Sequence, residues 1–580
     1  MEIQKPSLCS WQQPKRPGRR RRPHTNTIDG TNGLPCSNQA TDISEGSCSM
    51  IPHIELPKDV LGHIYSLLTI RDAARAACVS RQFLLFWRCF PNLVFNRETL
   101  AARRQRSGYV FSKARQVLEN HSVIGAKMLK LNFSTCNSSM SDIDTNLMDG
   151  WLQAFVKPGI IVDLAVLLPD CYAAISEYNF PYSLLLNDDS RSSSAASIQS
   201  LHLGSCGFHP INDDTRMLAC SWSLSKVRLS KVSITGDELC LFLSSCFALE
   251  ELVLSNCDMI KSIKLPRVLH KLKIVHVREC SVLRVIESEA LRLTTFTYEG
   301  WPLSRFTLGD SLETRKLDMH ATRMQDMIQY AGSNFPSIAP NLETLMLSTD
   351  HEKLKAPAMA EKFKHLKHLV ICLGEWGGFC TGYDFLSLAC FLDACVALET
   401  FVLRIADGFK WYKKYLIVGE PDESSSQSKQ EIPEFRHGGL GNLRRATITG
   451  FCSAKSLVEL TCHILEKAST SLECFILDAS PGYDRTCSSS FKCLPMSVEA
   501  LRDAEKALAN VRKYVEPKVP VGIEFKVLEP CSRCHAMDAK AMQEAELEAP
   551  RKFWQRQEDG RIALVCPAEV LIYMPLLSAS

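Results

Sequence analysis

The chain has 580 residues, of which 46% are hydrophobic, and its 67 Lys and Arg nearly balance its 64 Asp and Glu. A single ordinary core does not grow to this length, so the sequence predicts several domains or a repeat stack. The small net charge argues against a general polyanion-binding protein, and the short, interrupted apolar runs predict neither a signal peptide nor a membrane span.

The 25 cysteines are scattered along the chain and form no dense framework. In a large chain without a predicted export signal, buried reduced thiols are the expected state. The sequence therefore predicts a reducing compartment, the nucleus and/or the cytoplasm.

Residues 1–50 are rich in Pro, Gly, Ser, Thr and Asn, and this composition predicts a disordered basic N-terminal arm. Within it, six positive charges occur without an acid, which suits a nuclear-import receptor; a solvated basic tail without a partner is the alternative. The run lacks the interleaved aromatic residues that would favour nucleic-acid binding. The candidate import residues are Lys15, Arg16, Arg19, Arg20, Arg21 and Arg22.

The next segment predicts three short helices within about forty residues. Pro57 suits a helix start, and apolar side chains then recur at helical spacing at Val60, Leu61, Ile64, Leu67 and Leu68. Asp72 is the predicted N-cap of a second helix. Ser80 is the predicted cap of a third helix that carries Phe83, Leu84, Phe86 and Trp87.

So small a helical unit has only a marginal core, and its remaining apolar surface is a candidate docking face. The string Leu56-Pro57-x-Asp59-Val60-Leu61-x-x-Ile64-x-x-Leu67-Leu68, followed by Arg71-Asp72-x-x-Arg75-Ala76-Ala77-x-Val79-Ser80-Arg81-x-Phe83-x-x-x-Trp87-Arg88, resembles the F-box family. The alternative is an arbitrary helical hairpin at a domain edge. The resemblance implies binding to the Skp-family adaptor of a cullin–RING ubiquitin ligase through Leu56, Pro57, Val60, Leu61, Ile64, Val79 and Trp87.

From about residue 120 the chain repeats the pattern L-x-x-L-x-L, which is typical of leucine-rich repeats. The clearest copies are Ile198-x-x-Leu201-x-Leu203-x-x-Cys206 and Leu249-x-x-Leu252-x-Leu254-x-x-Cys257; both cysteines are expected to be buried after a strand. Stacked strands of this kind share a core that one repeat cannot form alone. Weaker copies begin at Leu224, Leu269, Leu312, Leu342, Leu366, Leu398, Leu443 and Leu472.

The predicted fold class is α/β: a short three-helix F-box module followed by an irregular leucine-rich-repeat solenoid with a parallel β-sheet. Residues 151–160 and 178–181 also resemble plant F-box/leucine-rich-repeat proteins of the FBD-associated type. The predicted boundaries are an F-box at 51–97, a linker helix at 98–120, a repeat domain at 121–530 and a C-terminal cap or tail at 531–580.

The sequence contains no motif that predicts a catalytic site. The glycine-rich stretch at 438–443 lacks the preceding strand of a phosphate-binding loop and is predicted to be an ordinary loop. The histidines do not have the spacing of paired metal ligands. Cys531-Ser532-Arg533-Cys534-His535 has the spacing of a haem attachment site, but a turn with reduced thiols is the favoured interpretation over a metal site. No catalytic residue, metal or cofactor is predicted.

The sequence thus predicts a non-catalytic substrate-recognition adaptor of an SCF-type cullin–RING E3 ubiquitin ligase. The F-box would bind the Skp-family adaptor and, through it, the cullin and RING subunits, while the repeats bind an unidentified substrate protein. A repeat scaffold independent of ubiquitination is the alternative. Outward-facing strand residues are the expected substrate contacts, among them His202, Arg228, Lys273 and Met346.

Overall fold

The structure is a computed structural model. It describes residues 57–79, 81–100, 108–122, 125–134, 143–156, 160–169, 178–185, 198–210, 223–309, 313–322, 324, 326–349, 361–374, 384–405, 440–480, 498–530, 554–556 and 562–564.

Three short helices open the described chain: α1 (Lys58–Ser66), α2 (Ile70–Ala77) and α3 (Arg81–Arg88). The second helix begins earlier than the sequence predicted. The Thr69 side-chain oxygen accepts a hydrogen bond from the Asp72 amide at 3.2 Å, so Thr69 is the N-cap and Asp72 lies in the first turn. There its carboxylate complements the positive end of the helix dipole.

An aromatic cluster holds these helices together. The Tyr65 ring lies 5.7 Å from the rings of both Phe83 and Phe90, and the Phe90 ring lies 6.1 Å from that of Trp87. The Tyr65 hydroxyl donates to the Ala73 carbonyl at 2.6 Å, and burial raises the pKa of Tyr65 to about 12. The hydroxyl is therefore a fixed donor within an otherwise apolar interior.

A fifteen-stranded parallel sheet forms the main body, in the order β1-β2-β3-β4-β5-β6-β8-β10-β12-β13-β14-β15-β16-β17-β18. Its strands are β1 (Asn92–Phe95), β2 (Met128–Asn132), β3 (Asp163–Leu167), β4 (Ser200–Gly204), β5 (Lys226–Ser230), β6 (Glu251–Ser255), β8 (Ile274–Arg278), β10 (Thr295–Gly300), β12 (Lys316–Ala321), β13 (Thr344–Thr349), β14 (His368–Leu373), β15 (Thr400–Ile405), β16 (Arg445–Thr449), β17 (Cys474–Asp478) and β18 (Glu524–Leu528).

The connections between these strands carry helices toward both ends of the sheet and short strands in the middle. The helices are α4 (Arg97–Leu100), α5 (Gly108–Leu118), α6 (Thr145–Val156), α7 (Gly236–Leu243), α8 (Met327–Ile338), α9 (Leu388–Asp393), α10 (Lys455–Lys467) and α11 (Val498–Asn510). The middle connections form a second parallel sheet of β7 (Ser262–Leu265), β9 (Val285–Ser288) and β11 (Arg305–Thr307). A separate antiparallel pair consists of β19 (Trp554–Arg556) and β20 (Ile562–Leu564).

Alternate strand residues face a continuous core. In β6, for example, Leu252 and Leu254 are fully buried while Val253 between them is only half-buried. The same alternation runs through neighbouring strands because each pairs with the next in register. Cys206 and Cys257 are buried directly after their strands, which confirms the prediction for these two thiols.

The turn after four consecutive main-sheet strands uses a left-handed residue. Ser205, Lys231, Asn256 and Glu279 have φ values of 51° to 55°, and each amide donates to a carbonyl of the next main-sheet strand. This conformation is costly for a side-chain-bearing residue, and the repeated inter-strand hydrogen bond offsets the cost. Each turn then directs the following residue, a Cys or Val, into the core.

The helical unit and the sheet share one core rather than two. Tyr65, Ile70 and Ala73 are buried in the same cluster as Leu93 and Phe95 of β1. The Asn92 side chain donates to the Ser66 carbonyl at 2.9 Å across the junction. The three helices therefore cover the end of the solenoid core, which would otherwise be open to water.

The sheet begins earlier than the predicted repeat domain at 121–530. Its first strand starts at Asn92, inside the range predicted as F-box, because Leu93 and Phe95 are buried against β2. The predicted linker at 98–120 contains α4 and α5. Helix α5 buries Val110, Phe111 and Ala114 in the core, so it is the crossover helix between β1 and β2 rather than a linker.

Candidate functional site

Two surfaces hold the residues that the sequence singled out, and the first lies on α1–α3. Large apolar side chains are exposed there: Ile64 is 45% exposed, Leu67 74% and Val79 86%. Isolated exposed apolar residues are common on proteins, but a group of this density in one short segment marks a candidate interface. We call these residues the helical face: Val60, Ile64, Leu67, Val79, Leu84 and Leu85.

The predicted adaptor contacts divide into exposed and inward-facing residues. Val60, Ile64 and Val79 belong to the helical face, and Pro57 is also exposed. Leu61 is half-buried, and Trp87 packs inward beside Phe90. Leu56 lies outside the described residues. The structure thus leaves Trp87 with only part of its ring surface available to a partner.

Sequence reasoning missed three exposed residues of this face. Leu67, Leu84 and Leu85 were not among the predicted contacts, yet each is exposed. A signal for the last two was present in the spacing of the aromatic residues. Phe83, Phe86, Trp87 and Phe90 follow the i, i+3, i+4, i+7 pattern of a buried stripe, and Leu84 and Leu85 fall outside it.

The second surface is the open face of the sheet, where strand side chains point away from the core. The central residue of each strand pairs in register with that of its neighbour, so these residues form one continuous column across the sheet. This central column consists of Val94, Lys130, Ala165, His202, Arg228, Val253, His276, Thr297, Asp318, Met346, Val370, Val402, Thr447, Ile476 and Lys526.

Three of the four predicted substrate contacts lie in the central column, namely His202, Arg228 and Met346. Lys273 lies outside the central column, and the prediction that it belongs to a strand was wrong. It precedes β8, where its amide donates to the Glu250 carbonyl and its amine lies 3.0 Å from the Glu250 carboxylate. His276 occupies the column position of β8 instead.

Ion pairs bridge neighbouring strands on the open face. Arg228 lies 2.7 Å from the Glu251 carboxylate, and Lys130 lies 2.6 Å from that of Asp163. Burial alone would raise the pKa of Glu251, but the hydrogen bond and charge of Arg228 outweigh it and lower that pKa. These pairs are partly exposed, so each adds little stability, but they fix the side chains in place.

Two histidines of the central column have lowered pKa values, which favours their neutral form. Burial, and then the charges of Arg228 and Lys130, lower the pKa of His202; burial and the charge of Arg278 lower that of His276. The Nδ1 atom of His276 is buried and has no hydrogen-bond partner among the described residues. A neutral imidazole donates a hydrogen bond through one ring nitrogen and accepts one through the other.

A shallow cavity of about 180 Å³ lies on the open face at β8, β10, β12 and β13. Burial raises the pKa of the Asp318 carboxyl, which lines the cavity, although the charges of Lys316, His320 and Arg278 oppose this effect. Glu299 lies 3.9 Å from Arg278 and 3.8 Å from His320. The full lining comprises Arg278, Thr297, Tyr298, Glu299, Asp318, His320, Met346 and Ser348.

Other predicted features fall outside the described residues. They are the basic run from Lys15 to Arg22 and the cluster of Cys531, Cys534 and His535. Within the described ranges, no group of three or more His, Cys, Asp or Glu side chains has metal-binding geometry. The helices seen in those ranges are all too short or too polar to cross a bilayer.

A protein-family model for the leucine-rich-repeat domain named At1g61320/AtMIF1 matches residues 117–532, which is well over half of the 580-residue chain. The chain belongs to this plant leucine-rich-repeat family. The match begins within α5, so it covers the repeat domain from β2 to β18 and does not include the helical face. No curated protein matches the chain.

Membership of this family gives the repeat domain a general role. Leucine-rich-repeat domains are generally non-catalytic and serve protein interaction. A stacked array presents one long surface of strand side chains, which suits an extended protein partner better than a small molecule.

Proposed function

We propose that the protein is a substrate-recognition adaptor subunit of an SCF-type cullin–RING E3 ubiquitin ligase. In this proposal α1–α3 are an F-box that binds the Skp-family adaptor, and the open face of the repeat domain binds the substrate protein. The observation that carries the proposal is the helical face, together with the F-box-like sequence from Leu56 to Trp87.

The distribution of exposed apolar residues supports a protein interface at the helical face. Of the thirteen exposed large hydrophobic side chains in the described part of the chain, six lie between Val60 and Leu85. Complete burial of a Val, Leu or Ile side chain contributes about 1.5–3 kcal/mol. Partial burial of six such side chains would therefore contribute several kcal/mol to association and would offset part of the entropy that two proteins lose on binding.

The proposed role requires no bond chemistry from this chain. Helices α1–α3 and the repeat domain share one core, so a ligase held by the helices and a substrate held by the open face would be kept at a fixed spacing. Holding two reactants together raises their effective concentration and so speeds transfer between them. The ubiquitin-loaded enzyme of the ligase would supply the reacting thioester.

Capture of a purified Skp-family adaptor by the immobilised full-length chain tests the proposal. We expect the parent to capture the adaptor and the double variant Leu56→Ala, Pro57→Ala to lose capture, because both residues occupy contact positions implied by the F-box resemblance. The matched control is Val268→Ala, Leu291→Ala, which changes two exposed apolar residues of the repeat domain and should capture normally. Absence of capture by the parent would refute the F-box assignment.

A repeat scaffold that acts without any ligase is the second candidate function. The burial of Tyr65, Ile70 and Ala73 against β1 favours it, because a terminal cap needs this packing and no adaptor. A cap, however, is expected to present a polar outer surface, whereas the helical face is apolar. Adaptor capture by the parent therefore separates the two candidates.

For localisation we propose the nucleus and/or the cytoplasm, on the strength of the basic run in the N-terminal arm. A full-length fluorescent fusion should accumulate in the nucleus. Replacement of Arg19, Arg20, Arg21 and Arg22 by alanine should shift the fusion toward the cytoplasm, because an import receptor recognises clustered positive charge. An unchanged distribution would show that the run does not direct import.

A further inference from the structure

The open face changes character along the sheet, and the change falls at the cavity. From β2 to β12 the central column is mostly polar, with Lys130, His202, Arg228, His276 and Asp318. From β13 to β17 it is mainly apolar and half-exposed, and the residues are Met346, Val370, Val402, Thr447 and Ile476.

The size of the cavity restricts what can enter it. Pockets that hold drug-sized molecules or cofactors have volumes of roughly 300–1,000 Å³. The cavity of about 180 Å³ is smaller and open to solvent along the sheet. It therefore suits one long side chain of a protein partner rather than a small molecule.

The charges at the cavity favour a cationic side chain. Among the described residues the Asp318 carboxylate has no ion pair within 4 Å, although Lys316 and His320 are on the same strand. Arg278 pairs with Glu299, which also faces His320. An incoming ammonium or guanidinium group would give Asp318 the partner that its burial requires.

We propose that this sheet face binds an extended segment of the substrate, with a Lys or Arg side chain in the cavity over Asp318 and apolar side chains along Met346, Val370 and Val402. The inference rests on the proposed function, because it assigns the substrate to the open face. Met346 has a role in both parts of the site, since it lines the cavity and begins the apolar half of the column.

The strand spacing sets the distance between the two recognised features. Neighbouring strands lie about 4.8 Å apart, so β12 and β15 are separated by about 14 Å. An extended segment crossing the strands advances about 3.3 Å per residue. The basic residue and an apolar residue that contacts Val402 should therefore be about four positions apart.

A library of immobilised ten-residue peptides, each with Arg, Lys, Ala or Glu fixed at one position and random elsewhere, tests this proposal on the full-length chain. We expect enrichment of the Arg and Lys sets, with aliphatic residues about four positions away. The near-isosteric variants Asp318→Asn and, separately, Glu299→Gln should each weaken binding of the selected peptides by about tenfold or more. Val402→Lys should abolish the aliphatic preference.

Glu287→Gln is the matched control, because it makes the same carboxylate-to-amide change on β9 of the second sheet, away from the open face, and it should leave peptide selection unchanged. Enrichment of the Glu set, equal binding of all four sets, or full binding by Asp318→Asn would overturn the proposal. Adaptor capture by the parent protein distinguishes this inference from the proposed function on which it rests. A parent that captures the adaptor but selects no peptide refutes only the substrate site, and a parent that selects peptides but captures no adaptor refutes only the ligase assignment.

Discussion

Replacement of Phe90 by alanine should lower the free energy of unfolding by about 3–5 kcal/mol, the usual cost of removing a fully buried phenyl ring. Phe90 is fully buried between Tyr65 and Trp87 of the helical unit, immediately before the first strand. Its carbonyl also lies 3.1 Å from the buried His121 ring nitrogen. Removal of the ring opens a cavity where the helices and the sheet meet.

Chemical denaturation followed by circular dichroism measures this loss, and Leu84→Ala is the control. Leu84 is exposed on α3, so its truncation should cost no more than about 0.5 kcal/mol. Hydrogen exchange adds a second readout, since a shared core predicts that Phe90→Ala weakens amide protection in α1 and in β1 together. Loss of protection in the helices alone would show that they fold as a separate unit.

Replacement of Ile64 by aspartate should weaken adaptor binding by about a hundredfold or more, because a carboxylate buried at an apolar interface has no partner there. Ile64 is 45% exposed on α1, so the isolated protein can keep the new charge in water. Titration of the immobilised protein with the Skp-family adaptor measures the change. The thermal unfolding midpoint should move little.

The control for this substitution is Met259→Asp. Met259 belongs to the repeat domain and lies far from α1 in the sequence. Its side chain is 49% exposed, so the substitution introduces the same charge at an exposure similar to that of Ile64. Normal adaptor binding by this variant would show that the loss is specific to the helical face. If Ile64→Asp binds the adaptor as tightly as the parent, α1 does not form the interface.

The repeats can be recognised from the sequence where leucine occupies the three apolar positions of L-x-x-L-x-L. Repeats in which other apolar residues replace leucine were not recognised. Strand β1 follows Phe90-x-x-Leu93-x-Phe95, and β10 follows Leu293-x-x-Phe296-x-Tyr298. The spacing is that of the other copies, and the residues named are all buried. The core accepts any large apolar side chain at these positions, so a search for leucine alone is too narrow.

The Lys273 error has a similar physical cause. Leu269 and Leu272 are both buried, so two overlapping patterns three residues apart fit the same segment. The pattern beginning at Leu269 predicts a strand that contains Lys273. In the structure Leu269 lies in the turn before the strand, and Val275 and Val277 are the core residues of β8. Only the register with the neighbouring strands shows which of the two overlapping patterns forms the strand.

By itself the sequence determined the class of fold and the parts of the chain that carry each surface. Periodic apolar residues must be buried, and their spacing differs between a helix and a strand, so both element types follow from local pattern. The tertiary structure decided which apolar side chains remain exposed to water. Whether Trp87 or Leu85 faces water depends on Tyr65, Phe90 and the first strand, which occupy the other side of the unit.

The cavity over Asp318 was likewise decided by the stacking of the strands. Its lining comes from residues as far apart as Arg278 and Ser348, which meet because four strands pair in register. No local pattern marks such residues, since all of them except the core residue Tyr298 are ordinary outward positions of their own strands. The helical face from Val60 to Leu85 could be located from sequence because it is local, whereas the open-face site required the fold because its parts are distant in the chain.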